Sequence, residues 1–76
     1  MDSTQIKEHM EVVGADGLHV GIVDKLEGDR LKLTHHDSQA EGKHHFLPLM
    51  AVANVGEFVT LSISAEAAKA QWEEEG

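Results

Sequence analysis

The stretch that decides the fold is Val12–Leu49, VVGADGLHVGIVDKLEGDRLKLTHHDSQAEGKHHFLPL. Short apolar runs alternate there with polar segments, and Asp16-Gly17 and Gly28-Asp29 are residue pairs typical of tight hairpin turns. The pattern predicts four strands, over residues 12–13, 19–26, 31–36 and 44–49. With a further alternating segment near residue 60, we predict a mainly β domain: a small antiparallel β-barrel or rolled sheet of about five strands with a short C-terminal α-helix.

The turns also predict which strand residues face each other. A two-residue turn at Asp16-Gly17 places Val13 opposite Val20. The turn at Gly28-Asp29 pairs Leu26 with Leu31, Glu27 with Arg30 and Lys25 with Lys32. A symmetric hairpin around the polar loop 37–43 pairs Leu33 with Leu47, Leu31 with Leu49, His35 with His45, and His36 with His44.

Two side-chain orientations follow from this register. Adjacent strand residues point to opposite faces, so His35 and His45 lie on the core side and His36 and His44 on the other. Asp24 would share the core face, unless a bulge near Gly21 turns it outward. The sequence leaves both arrangements of Asp24 open.

The two ends of the chain have different characters. Residues 1–8 are mostly polar and predict a flexible N-terminal arm, which leaves 9–76 as a single domain. At the other end, Ser64 is a good N-cap for a helix over 65–74. Ala65, Ala68 and Trp72 form the apolar stripe of that helix.

Composition narrows the function classes. The chain has 76 residues, no cysteine and a formal net charge of -8, so we expect neither disulfides nor binding to nucleic acid or anionic membranes. No apolar run is long enough to cross a bilayer, and Met1–Thr4 lacks the character of a signal peptide, so a cytoplasmic protein is expected. Protonation of all six histidines would move the charge to roughly -2.

Several segments together resemble a known superfamily. Gly17–Val23, Arg30–Leu33, Phe46–Leu49 and Val59–Leu61 resemble the strands of the PRC-barrel superfamily. His9–Val12, His44-His45 and Gln71-Trp72 look more closely like short, single-domain, uncharacterised bacterial proteins related to that barrel. The resemblance covers roughly residues 6 to 72 and implies a scaffold or interaction module without shared catalytic residues.

The histidine pairs are the candidates for chemistry. His36 and His44 share a face and supply two ligands to a transition metal, with Asp37, Glu41 or Asp24 as the carboxylate that would complete a site. The alternative is that both are solvated surface residues. His35 or His45 beside Asp24 would resemble an oriented general base, but no nucleophile or phosphate-binding loop accompanies them. We therefore predict no enzyme, no catalytic residue and no cofactor.

Binding to another protein is the favoured function. Phe46 and Met50 form one candidate contact surface, although Phe46 would equally well pack beneath the helix. Trp72 is the candidate anchor, either for the helix within its own chain or across a symmetric dimer. The sequence thus predicts a non-enzymatic scaffold or protein-interaction module, expected as a homodimer. The alternative is a pH- or metal-responsive regulator using the histidine hairpin.

Overall fold

The computed structural model describes residues 6–34 and 44–74, without the side chain of Glu74. These residues form one helix, α1 (Ala65–Gln71), and seven strands: β1 (Glu11–Val13), β2 (His19–Glu27), β3 (Arg30–Leu33), β4 (His45–Pro48), β5 (Val52–Val55), β6 (Val59–Leu61) and β7 (Glu73–Glu74). A single 3-10 turn, Leu49–Ala51, connects β4 to β5. The predicted mainly β fold with a short C-terminal helix is confirmed.

The strands form one mixed sheet in the order β5-β6-β1-β2-β3-β4-β7. Among the described residues this order has two ends, so the sheet is open and the closed form of the predicted barrel is not observed. The count of about five strands was too low, because β5 and the two-residue β7 were not foreseen. The sheet is also not wholly antiparallel: β1 and β6 run parallel, with Val12 beside Val59.

The first hairpin differs from its predicted register. Val13 pairs with His19 rather than with Val20, and Gly14 N–H donates to the Leu18 carbonyl at 2.8 Å. The connection is therefore a three-residue loop, 15–17, in which Gly17 has a φ of 82°. The Asp16 carboxylate explains the longer loop, since its Oδ1 accepts from the backbone N–H groups of Leu18 and of Ala65, each at 3.3 Å.

The second hairpin is confirmed pair by pair. Leu26 faces Leu31, Glu27 faces Arg30 and Lys25 faces Lys32, around a turn in which Gly28 has a φ of 61°. The register shifts between Val23 and Lys25, which places the irregularity at Asp24. Val23 is buried and Asp24 is half-exposed, so the bulge resolves the position of Asp24 in favour of the outward arrangement.

The third register was wrong by two residues. Leu31 pairs with Leu47 and Leu33 with His45, whereas Leu49 leaves the sheet and donates its N–H to the Asp29 carbonyl at 2.8 Å. A shift of two keeps every side chain on its face, so hydrophobic alternation cannot distinguish the two registers. His45 is accordingly buried, as predicted, while His35 and His36 lie outside the described residues.

The core lies between the sheet and α1. Its most deeply buried members are Val12, Val20, Val23, Leu31, Leu33, Leu47, Val59, Leu61 and Ala68. Ser64 caps the helix as predicted, accepting from Ala67 N–H at 3.1 Å, and Ala65 and Ala68 face the core. The helix ends at Gln71 instead of residue 74, because Glu73-Glu74 pair with β4. Ile6, within the predicted N-terminal arm, also belongs to the core.

No helical segment in the described part of the chain combines the length and the apolar character needed to cross a bilayer.

Candidate functional site

Strand β5 forms one edge of the sheet, and its surroundings make up the candidate site. Its inner side pairs with β6, through Val52 with Leu61 and Val55 with Val59. The register shifts between Val52 and Asn54, so the valines turn toward the core while Ala53 and Asn54 are exposed. An edge strand presents unpaired backbone donors and acceptors, which makes it a template for pairing with another strand.

Two large apolar side chains stand at opposite ends of β5. Met50, in the preceding 3-10 turn, is 88% exposed, and Phe58, after the strand, is 44% exposed. Exposed apolar side chains that flank an edge strand add apolar area to a contact made through that strand. We call residues 50–58, with β5 at the centre, the β5 edge.

Charge is distributed unevenly around this surface. The eleven residues 46–56 include no Asp, Glu, Lys or Arg, in a chain of which 26% is charged and whose net charge is -8. Glu57 is the single charged residue of the β5 edge. The surface around β5 is therefore close to neutral on an otherwise acidic protein, and an approaching group there meets little electrostatic repulsion.

The other two predicted interaction residues, Phe46 and Trp72, pack against side chains of their own chain. Phe46 is 8% exposed and lies beneath the Arg30 guanidinium, whose central carbon is 4.3 Å from the ring centroid. Trp72 stacks on the ring of His45, with centroids 3.7 Å apart and planes 13° apart. In this structure the tryptophan therefore packs against the sheet of its own chain.

Phe58 was missed by sequence reasoning. The signal was present in the alternation, because Val59 and Leu61 point to the core and an adjacent residue must point away from it. Met50 is the one predicted interaction residue that the structure leaves on the surface.

Of the two histidines of the predicted metal site, the structure describes His44 and not His36. His44 is half-buried, and its Nδ1–H donates to the Leu33 carbonyl at 3.0 Å. The same nitrogen lies 3.9 Å from Asp24 Oδ2, while His36 lies outside the described residues. Residues 6–34 and 44–74 contain no cluster of three or more His, Cys, Asp or Glu side chains that could hold a metal ion. The metal site stays a prediction.

The general-base arrangement is also incomplete in the described residues. Asp24 lies beside His44, whereas His45 is buried against Trp72. A separate open cavity of about 540 Å³ is lined by Ile6, Lys7, Glu8, Val23, Lys25 and Leu26. Its charged lining residues are of both signs, two lysines and one glutamate.

Comparison with known proteins gives one match. Residues 6–69 match the family described as "Uncharacterized protein conserved in bacteria (DUF2171)". No curated protein matches the chain. No solved structure matches it either.

Proposed function

The chain belongs to this uncharacterised bacterial family, and we propose that it is a small, non-enzymatic scaffold or protein-interaction module of the cytoplasm that binds through the β5 edge. The observation that carries the proposal is the exposure of Met50 and Phe58 at the two ends of an edge strand. Apolar side chains in these positions add buried area to the backbone hydrogen bonds formed when another strand pairs with β5.

The fold is consistent with a relationship to the PRC barrel. The supporting features are the confirmed second hairpin and the strand of Val59–Leu61, both of which contributed to the resemblance. A scaffold of this kind needs a rigid sheet beneath its contact surface. The buried valines of β5 and β6, Val52 and Val59, hold the edge to the core in this way.

The test is capture of partners from an extract of the native bacterium with the tagged full chain. Replacing Met50 or Phe58 with lysine puts a charge on the β5 edge, and each change is expected to reduce partner recovery at least tenfold, since a buried unpaired charge costs more than 1.4 kcal/mol. Recovery is measured by quantitative mass spectrometry.

Leu18→Lys is the matched control. Leu18 is 62% exposed in the first hairpin loop, so the variant carries the same charge change away from the β5 edge and should recover partners as well as the wild type does. Equal recovery by the wild type and the edge variants would refute the β5 edge as the binding surface.

The placement of His44 favours a second candidate function, metal- or pH-responsive regulation through the histidine hairpin. A backbone carbonyl that accepts from one ring nitrogen is the usual way in which a metal-binding imidazole is oriented. Zn²⁺ or Ni²⁺ at about 100 times its dissociation constant should then stabilise the fold by about 2.7 kcal/mol at neutral pH, seen as a raised melting temperature.

His44→Gln and His36→Gln are expected to abolish this rise, whereas His19→Gln, outside the hairpin, should retain it. A melting temperature that is insensitive to both metals in the wild type removes the metal-binding candidate.

A further inference from the structure

We infer that the occupant of the β5 edge is a second copy of this chain, bound by antiparallel pairing of β5 with β5 about a two-fold axis that passes beside Asn54. This inference rests on the proposed function, because it names the partner of the same surface. It joins two open sheets into one continuous sheet, with β5 of each copy at the centre.

The positions of Met50 and Phe58 fit this symmetry. They lie at opposite ends of a four-residue strand. Met50 and Phe58 each lie four positions from Asn54, so a two-fold axis beside Asn54 brings Met50 of one copy to the end at which the second copy carries Phe58. Each exposed apolar side chain thereby meets the other kind, twice in the dimer, and the surface is complementary to itself.

The residues between them allow close approach. Ala53 and Asn54 are exposed, small and uncharged, and this axis places the Asn54 residues of the two copies opposite each other. Sheet proteins commonly prevent pairing of their edges with charged residues, proline, bulges or very short strands. Val52–Val55 contains no charged residue and no proline, and its short length and its irregularity at Ala53 confine the pairing to the few residues around Asn54.

Charge favours this surface over the rest of the chain as the place where a second copy binds. Two chains of net charge -8 repel each other, and the repulsion is smallest where the neutral segments 46–56 face one another. A basic partner would gain more from the acidic surfaces elsewhere than from a neutral edge. A second copy presents the same neutral edge and therefore meets the least repulsion there.

The test uses sedimentation equilibrium of the full chain over a series of concentrations. The wild type should approach twice the monomer mass of 8.3 kDa, and added salt should strengthen association several-fold by screening the repulsion between copies. Met50→Glu alone and Phe58→Lys alone should each weaken association at least tenfold. Leu18→Lys should associate as the wild type does.

Mixing the two edge variants gives the decisive measurement. In a mixed dimer, Glu at position 50 of one copy meets Lys at position 58 of the other, and the opposite end keeps the native Met50 and Phe58. The mixture should therefore recover dimer mass that neither variant forms alone. Circular dichroism of each variant shows whether it is folded.

A monomeric wild type, edge variants that dimerise normally, or a mixture that stays monomeric would each overturn the inference. Failure of this inference can be distinguished from failure of the proposed function. A monomer that still captures another protein through the β5 edge retains the interaction function and loses only the second copy as its partner.

Discussion

Replacing Gly14 with alanine is expected to lower the free energy of unfolding by about 3 kcal/mol, near the upper end of the usual cost of overpacking. A Cβ at this position would overlap the backbone nitrogen of Ala65 and lie 2.7 Å from the carbonyl carbon of Ser64. Both neighbours are backbone atoms, so no side-chain rotation relieves the clash. The start of α1 would have to move away from the first hairpin.

That movement would also disturb two hydrogen bonds that join the same elements. The Ala15 N–H donates to the Ile63 carbonyl at 2.7 Å, and the Ala65 N–H donates to Asp16 Oδ1 at 3.3 Å. A domain of this length is stable by roughly 4–11 kcal/mol, so a loss of about 3 kcal/mol lowers the melting temperature by roughly 12–24 °C.

Urea denaturation followed by the fluorescence of the single tryptophan measures the effect. Gly56→Ala is the matched control, because a Cβ at Gly56 meets nothing within 4 Å, and its stability should stay within about 0.5 kcal/mol of the wild type. An unchanged midpoint for Gly14→Ala would contradict the close contact between the first hairpin and the helix.

The second large effect is expected for Trp72→Ala, which should also cost about 3 kcal/mol, the lower end of the range for truncating a tryptophan, because this ring is half-buried. The substitution removes the stack on His45 and the packing of the indole against the core. The hydrogen bond from the Trp72 N–H to the Ala68 carbonyl uses backbone atoms and persists in the variant.

Circular dichroism measures this loss, since the variant has no tryptophan. Trp72→Phe keeps an aromatic ring and should lose less stability, and Gln71→Ala, at an exposed neighbouring position, should lose little. Because the tryptophan stacks within its own chain, the drop in melting temperature should not depend on protein concentration. Wild-type stability in Trp72→Ala would show that the stack does not hold the helix in place.

The three hairpins show which parts of the fold can be predicted from local sequence. Gly28-Asp29 determines its own register, because Gly28 adopts a positive φ and the strands begin immediately on either side. The Asp16-Gly17 loop needs one more residue, because the Asp16 carboxylate also binds the N–H of Ala65, which is 49 positions away in the sequence. Rules based on neighbouring residues cannot predict a contact between residues so far apart in the sequence.

The predicted interaction residues also differ in how far local sequence predicts their surroundings. Met50 is a predicted contact residue, and the structure leaves it exposed; its contact role stays a prediction. Phe46 and Trp72 were chosen as aromatic residues, but Arg30 covers the first and His45 stacks on the second. Which aromatic residues stay on the surface depends on the neighbours that the register supplies, and that register differed by two residues from the prediction.

By itself the sequence determined the mainly β class, the second hairpin, the N-cap at Ser64, the core side of His45 and the acidic net charge, since these depend on neighbouring residues or on composition. Only the tertiary structure decided the parallel pairing of β1 with β6, the pairing of β7 with β4 and the position of β5 at an open edge. Each of these pairings involves segments that are far apart in the sequence. Their register is set by how the segments pack around a shared core.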